Sequence, residues 1–173
     1  MSLTETESVL LSRHLPVPAE LRARRRQWQW GSFLIGMGLG GFFDGIVFHQ
    51  ILQWHDLLSS VYPPHEMDSM RLNMWADGWF HAVTWVMTLA GITLVWRVTH
   101  QAHTGWPIRP FLGHMLVGWG VFNLLEGLID HQLLGLHHVR PGPDQWAYDL
   151  AFLAWGAVIL LLGLSLNRAK ETS

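Results

Sequence analysis

The chain has 173 residues, of which 50% are hydrophobic and only 14% are charged. Soluble domains carry about 25% charged residues, so this composition favours a chain that folds in the lipid bilayer and has the bilayer as its main partner. A formal net charge of -2 gives no indication of a nucleic-acid partner, and a chain without cysteine has no disulfides, iron–sulfur clusters or thiolate zinc sites.

Residues 1–28 are predicted to form a polar cytoplasmic segment. They include four arginines between positions 22 and 26, and they lack the apolar core that a cleavable signal peptide requires. The first membrane span is therefore expected to act as its own uncleaved anchor.

Four apolar segments follow, each long enough for a helix that crosses a bilayer, which needs about 20 residues. Backbone N–H and C=O groups in hydrocarbon must be satisfied within the segment, so all four are predicted to be α-helices. The predicted fold class is all-α, an integral membrane four-helix bundle. Its spans are predicted at about residues 30–57, 72–98, 111–136 and 146–166 of a domain covering 29–168, before a cytoplasmic tail at 169–173.

The distribution of Lys and Arg predicts the orientation of the bundle, because cytoplasmic loops carry an excess of these residues. Nine fall on one side of the predicted spans and two on the other. We therefore predict a multi-pass protein of the cell (inner) membrane with both termini in the cytoplasm. The nine are Arg13, Arg22, Arg24, Arg25, Arg26, Arg97, Arg109, Arg168 and Lys170, and the two are Arg71 and Arg140.

Reporter fusions test this orientation. Fusions placed after Leu58 and after Pro141 are expected to report the outside, because these loops carry few basic residues. Fusions after His103 and at the C-terminus are expected to report the cytoplasm. A cytoplasmic signal from the fusion after Leu58 would contradict the predicted orientation.

The first and third spans contain an internal repeat. An acidic residue, a glycine, a His-Gln pair and a second histidine recur at identical spacing, and Asp77 and Asp149 mark a weaker match between the second and fourth spans. Two helical hairpins in parallel orientation, related by a pseudo-two-fold axis along the membrane normal, are therefore predicted. The repeated residues are Asp44, Gly45, His49, Gln50 and His55 in the first copy and Glu126, Gly127, His131, Gln132 and His137 in the second.

Two segments carry a resemblance to a known family. Residues 41–55 have the sequence GFFDGIVFHQILQWH, and residues 76–81 have the sequence ADGWFH. With these motifs the chain resembles a bacterial family of predicted membrane proteins called domain of unknown function 2243, over most of its length beyond residue 28. The resemblance implies the four-span architecture but supplies no activity, so function must be inferred from the residues themselves.

Ionisable side chains inside the predicted spans are the main functional signal. A charge in the bilayer centre costs about 2.5–3.5 kcal/mol on insertion scales, so each such group needs a partner or a water-filled cavity. The span interiors contain no Lys or Arg, so the carboxylates must pair with histidine, take up a proton or bind a cation. These acids are Asp44, Asp77, Glu126, Asp130 and Asp149.

Three histidines are expected at one depth in the membrane. A helix rises about 1.5 Å per residue, which places His49, His81 and His131 roughly 10–13 Å below the predicted outer boundary. The same count places Asp44 and Glu126 roughly 18–20 Å down. Three different helices thus bring imidazoles to a common level, above two acids.

The direction of these side chains around the helix is less uniform. On a straight helix with about 100° per residue, Asp44 and His55 share a face, whereas His49 lies about 140° away. A straight helix cannot give all three to one ion, so we expect a broad inward face with the acid on one edge and the histidine on the other. Asp77 and His81, four residues apart, do share a face.

A transition-metal site is the leading hypothesis, because imidazole suits copper, zinc and iron and helical bundles build such sites from inward side chains. Thioethers select Cu(I), and Met67, Met70, Met74 and His65 lie in the outer loop and at the start of the second span. Copper is therefore favoured over zinc or iron, with the alternative that the three methionines are flexible apolar residues at the interface. The candidate ligands and orienting groups are His49, His81, His131, Asp44, Glu126, Asp77, His55 and His137.

Two other hypotheses stay open. Haem would use two axial histidines, for which His49 and His131 are the obvious pair, although the nearby carboxylates would crowd an apolar haem slot. A metal-free histidine–carboxylate network would instead stabilise the bundle or relay protons. Enzymatic activity, self-association and a respiratory or metal-handling membrane partner are not decided by the sequence.

Overall fold

A computed structural model describes residues 18–101 and 105–168. All regular structure in the described chain is helical, and residues 52–66 and 134–144 form loops between the helices. The four α-helices are α1 Ala19–Asp44, α2 Met67–Gln101, α3 Ile108–Glu126 and α4 Gln145–Arg168.

Some sequence predictions concern residues outside this range. They are the cytoplasmic placement of residues 1–17 and of the tail 169–173, two of the nine counted basic residues, Arg13 and Lys170, and the fusion point at His103.

Two of the helices continue as seven-residue π-helices. Segment π1, Gly45–Ile51, continues α1, and segment π2, Gly127–Leu133, continues α3. A π-helix has hydrogen bonds from residue i to residue i+5, is rare, and is frequent at functional sites. Both segments begin at the residue that follows the repeated acid, so the wider turn of the backbone coincides with the repeated motif.

The two π-helices also end in the same way. The residues two positions beyond them, Gln53 and Gly135, have φ angles of 50° and 57°. A residue in this left-handed region ends a helix, because the next peptide groups no longer follow its axis. The helices therefore end at Ile51 and Leu133, earlier than the predicted span ends near residues 57 and 136.

Helices α1 and α3 form the centre of the bundle. Helix α1 packs against α2 and α3, and α3 packs against α1 and α4, whereas α2 and α4 make no contact with each other among the described residues. The hairpin of α1 and α2 therefore meets the hairpin of α3 and α4 through the two helices that carry the repeated motif.

Glycines allow α1 and α3 to approach closely. A Cβ atom at Gly36 would collide with the backbone carbonyl of Met115, and one at Gly118 would collide with the backbone carbonyl of Phe33. In lipid the hydrophobic effect does not drive helices together, because lipid tails are as apolar as the side chains. Helix association therefore relies on close packing through such small residues.

The outer surface of the bundle is apolar. All four helices are long and apolar enough to cross a membrane, with mean hydropathies from 1.3 to 2.1. Only 11% of the apolar segment of α2 is buried, and Trp75, Trp79 and Val86 point away from the protein interior. The predicted all-α four-helix bundle of membrane spans is confirmed, while the two-fold relation of its hairpins stays a prediction.

Candidate metal centre

Four histidines form one cluster where the two π-helices end. His49 and His131 lie on π1 and π2, and His55 and His137 lie on the loops that follow. The ring centroids of the pairs His49–His55 and His55–His137 are 4.5 Å apart, and those of His131–His137 are 4.6 Å apart. Each residue is at most 4% exposed. We call these four residues the histidine cluster.

The π-helix brings Asp44 and His49 together. Residues five apart share a face in a π-helix, and His49 Nε2 lies 3.1 Å from Asp44 Oδ2. The expectation that acid and histidine lie on opposite edges is wrong here, because it assumed a straight α-helix. The other ring nitrogen, Nδ1, lies 3.1 Å from Oδ1 of Asp77 on α2. His49 is therefore held between two carboxylates.

His55 and His137 form reciprocal hydrogen bonds between the two halves of the chain. His55 Nδ1 donates to the carbonyl oxygen of Val139 at 2.7 Å, and His137 Nδ1 donates to that of Leu57 at 3.1 Å. A carbonyl oxygen only accepts, so each Nδ1 carries the proton and Nε2 of the neutral ring keeps its lone pair. His55 thus contacts the residue two positions after His137, and His137 contacts the residue two positions after His55.

His131 faces two acceptors at once. Its Nε2 lies 3.1 Å from His137 Nε2, and its Nδ1 lies 3.7 Å from Asp149 Oδ1. His137 Nε2 in turn lies 3.7 Å from Glu126 Oε1. A single proton on His131 can satisfy only one of its two neighbours. Either a second proton or a cation beside the two Nε2 atoms would satisfy both.

The four imidazoles share one orientation. In each ring Nδ1 faces an oxygen outside the cluster, which belongs to a carboxylate for His49 and His131 and to a backbone carbonyl for His55 and His137. This leaves the Nε2 atoms for contacts among themselves and with Asp44. Metal-binding histidines have this arrangement, because an acceptor on the second nitrogen fixes the ring and its tautomer.

Three overlapping groups of buried side chains could hold a metal ion, with their ligand atoms within 4.8 Å of one another. The separation of 3.1 Å between Nε2 of His131 and Nε2 of His137 is close to that of two ligands on one ion. Nitrogens bound at about 2.0–2.1 Å with tetrahedral angles lie about 3.3 Å apart. The groups are His49, His55 and His137; Glu126, His131 and His137; and Asp44, His49 and Glu126.

The same region contains buried polar atoms with no hydrogen-bond partner in the described part of the chain. Native proteins contain only a few such atoms per 100 residues, and a bound ion or water is a common explanation. The short contacts of His49 with carboxylates are not aligned as hydrogen bonds. The eight atoms are both carboxylate oxygens of Asp44 and of Glu126, both ring nitrogens of His49, His55 Nε2 and His131 Nδ1.

His81 lies apart from the histidine cluster. Its Nδ1 donates to the backbone oxygen of Asp77 at 2.7 Å, and its Nε2 is buried against Gly45 without a hydrogen-bond partner among the described residues. It belongs to none of the three groups. The predicted common level of His49, His81 and His131 therefore does not translate into one site, and the role of His81 as a ligand stays a prediction.

A cavity of about 590 Å³ reaches the cluster from the loop side. It is lined at one end by His49 and His55 and at the other by His65, Met70 and Met74. A second cavity of about 490 Å³ shares His49 and Met74 with it. Imidazole and thioether groups thus extend from the exposed loop to the buried rings.

The comparison with protein families gives one result. The family described as Predicted membrane protein (DUF2243) matches residues 31–170. The chain belongs to this family. No match was found among curated proteins or among solved structures. The match covers α1 from residue 31, all of the other three helices and both copies of the repeated motif. Membership therefore supports a membrane protein, and its chemistry must be inferred from the site.

Asp149 is the site residue that the candidate ligand set lacked. Its Oδ1 accepts a hydrogen bond from Val139 N at 3.0 Å, and its Oδ2 lies 2.7 Å from His138 Nδ1. Asp77 makes the matching contact in the other half, since its Oδ1 accepts from Leu57 N at 2.9 Å. The weak repeat between the second and fourth spans was the signal that could have found Asp149.

Proposed function

We propose that this protein binds one or two transition-metal ions in the histidine cluster, together with Asp44 and Glu126. The observation that carries the proposal is the shared orientation of the four imidazoles: each Nδ1 faces an oxygen outside the cluster, with a hydrogen bond for His55 and His137, and each Nε2 faces the other rings or Asp44. His49, His137 and Glu126 each belong to two of the three candidate groups and are the expected centre of the site. Asp77 and Asp149 then act as orienting groups for His49 and His131.

Charge supports a cation at this place. Asp44 and Glu126 are 1% and 5% exposed, and within the described residues no lysine or arginine pairs with either of them. An unpaired buried carboxylate is costly, so it must be neutralised by a proton, an imidazolium or a metal ion. One divalent ion or two monovalent ions bound by the imidazoles would offset both carboxylates and satisfy the facing nitrogens.

Copper is the metal that the surroundings favour. Met70, Met74 and His65 line the cavity that reaches the cluster, whereas Met67 is 63% exposed and does not line it. Thioether ligands select Cu(I), and imidazole suits copper as well as zinc and iron. Metal handling or redox chemistry at the outer side of the inner membrane, with both termini in the cytoplasm, is the function we propose on this basis.

Haem is disfavoured by the ring contacts. His55 lies 4.5 Å from His49 and 6.2 Å from His131, and His137 lies 5.8 Å and 4.6 Å from the same two rings. The two supposed axial ligands thus have imidazoles between them, where an apolar macrocycle would need a wide slot. A metal-free network is disfavoured by the unpartnered polar atoms, since a network stabilises a fold only when its members are satisfied.

Metal analysis of purified protein tests the proposal. Cells expressing the full chain are grown with copper, zinc and iron, and the detergent-purified monodisperse protein is examined by elemental analysis and absorption spectroscopy. We expect about one or two copper ions per chain and no Soret band, because the site offers imidazole ligands at a cavity lined by thioethers and has no haem slot. Folded protein without metal would support the hydrogen-bond network, and a Soret band that shifts on reduction would support haem.

A further inference from the structure

A second cavity lies at the end of the bundle away from the histidine cluster. Its volume is about 410 Å³, within the range of about 300–1,000 Å³ that small-molecule sites occupy. Three helices contribute an arginine to its lining: Arg25 from α1, Arg109 from the first turn of α3 and Arg168 from the last turn of α4. None of these residues belongs to the candidate metal centre.

The rest of the lining is aromatic and polar. Trp28 is only 4% exposed and stacks on Trp106 with a centroid distance of 5.0 Å. The indole nitrogen of Trp106 is buried and has no hydrogen-bond partner in the described part of the chain. The charged groups of the lining are therefore three guanidinium groups, which are donors only, beside two indole rings and the amides of Gln29 and Asn167.

The three arginines have no counter-charge in the protein as described. Arg71 pairs with Asp68 at the opposite end of the bundle, whereas Arg25, Arg109 and Arg168 form no ion pair with a described residue. Three like charges around one cavity repel each other, and an anion between them would relieve the repulsion. This arrangement calls for a ligand that carries negative charge.

A neighbouring cavity of about 490 Å³ extends the basic surface along α1. It is lined by Arg22, Arg25, Arg26 and Gln29. Residues spaced by three, four and seven positions lie on one helix face, so this face of α1 leads continuously into the first cavity. The general excess of Arg on the cytoplasmic side explains why these residues are at this end, but it does not explain their convergence on a cavity from three helices.

We propose that this cavity binds the phosphate headgroup of an anionic phospholipid from the surrounding leaflet. The planar guanidinium fork matches phosphate oxygens with paired hydrogen bonds, and basic pockets between membrane helices recognise such headgroups. Tryptophans at the level of the headgroups are typical of the membrane interface. Free phosphate shares this chemistry, but it lacks the acyl chains that would lie against the apolar outer surface of the helices.

Calorimetric titration of the detergent-purified full chain tests this site. The probes are dioctanoyl phosphatidylglycerol, dioctanoyl phosphatidylcholine and inorganic phosphate. We expect phosphatidylglycerol to bind more tightly than the other two probes, and its binding to weaken as salt is added. The double variant Arg109→Gln/Arg168→Gln should weaken it by about tenfold or more, the effect of losing one charge-assisted contact.

The double variant Arg71→Gln/Arg97→Gln is the matched control. It removes the same charge, and neither residue lines the cavity, so it should bind phosphatidylglycerol like the unchanged protein. Equal binding of phosphatidylglycerol by both double variants would overturn the site. If inorganic phosphate binds as tightly as phosphatidylglycerol, the proposal that the bound phosphate belongs to a lipid is overturned. If the first double variant does not fold, Arg168→Gln alone, at the exposed end of α4, gives the same test.

Discussion

Changing His131 to alanine is expected to lower the copper content of the purified protein at least about tenfold, since loss of even an orienting group costs about 10–100-fold in metal affinity. The substitution removes one of the two Nε2 atoms that face each other at 3.1 Å, together with the imidazole beside Asp149 Oδ1. Changing His49 should have a comparable effect, because its ring belongs to two of the three candidate groups. Copper per chain is measured on the folded, monodisperse fraction.

His114→Ala is the matched control for this prediction. His114 lies on α3, and like His81 it donates from Nδ1 to the backbone oxygen four residues earlier, here Pro110 at 2.6 Å. It belongs to none of the candidate groups, so copper content should stay nearly unchanged. If the two variants have the same copper content, the proposed site is contradicted. This holds whether both variants keep their copper or both lose it.

Changing Gly36 to alanine is expected to destabilise the bundle by more than about 3 kcal/mol, above the usual cost of overpacking of about 1–3 kcal/mol. The added Cβ would collide with the backbone carbonyl of Met115. A backbone atom cannot rotate away, so α1 and α3 must separate along the interface that joins the two hairpins. The measurement is the thermal unfolding midpoint and the yield of monodisperse protein in detergent.

Gly78→Ala is the control for the glycine prediction. A Cβ at Gly78 would meet nothing within 4 Å, and the residue lies within α2. Alanine costs less backbone entropy than glycine in a helix, so this variant should be neutral or more stable by about 0.5–1 kcal/mol. If Gly36→Ala and the unchanged protein have the same unfolding midpoint, α1 and α3 do not approach each other as closely as described.

The proposed metal would also act on the fold. The histidine cluster takes two rings from each half of the chain, and the bonds of His55 and His137 already join the two halves. A ligand that binds only the folded state stabilises it, so an ion held by residues of both hairpins would strengthen their association. A metal bound as proposed would therefore couple the site to the packing of α1 against α3.

Much of the fold could be predicted because it depends on local properties of the chain. Apolar length identifies a membrane helix wherever it occurs, so all four helices were found, and the chemical type of the residues singled out His49, Glu126 and their repeat partners. Asp77 was found as well, and it does lie against His49. Each of these inferences needed only spacing along one segment and the cost of polar groups in lipid.

The geometry of the site could not be predicted from these local properties. The contact of Asp44 with His49 depends on π1, and nothing in hydropathy distinguishes an α-helix from a π-helix. The inward position of His55 and His137 depends on helix ends at Ile51 and Leu133 and on acceptors about 80 residues away in sequence. The straight-helix assumption therefore separated side chains that the folded chain brings together.

The sequence by itself determined that this protein crosses the membrane four times and carries a duplicated acid–histidine motif without basic partners. Only the tertiary structure decided which of those side chains meet. The histidine cluster is built across the interface of α1 and α3, whereas His81, at the same predicted depth, lies outside it. The physical reason is that hydropathy and spacing act along one helix, while ligand geometry depends on the relative placement of several helices and on the backbone bonds that fix each ring.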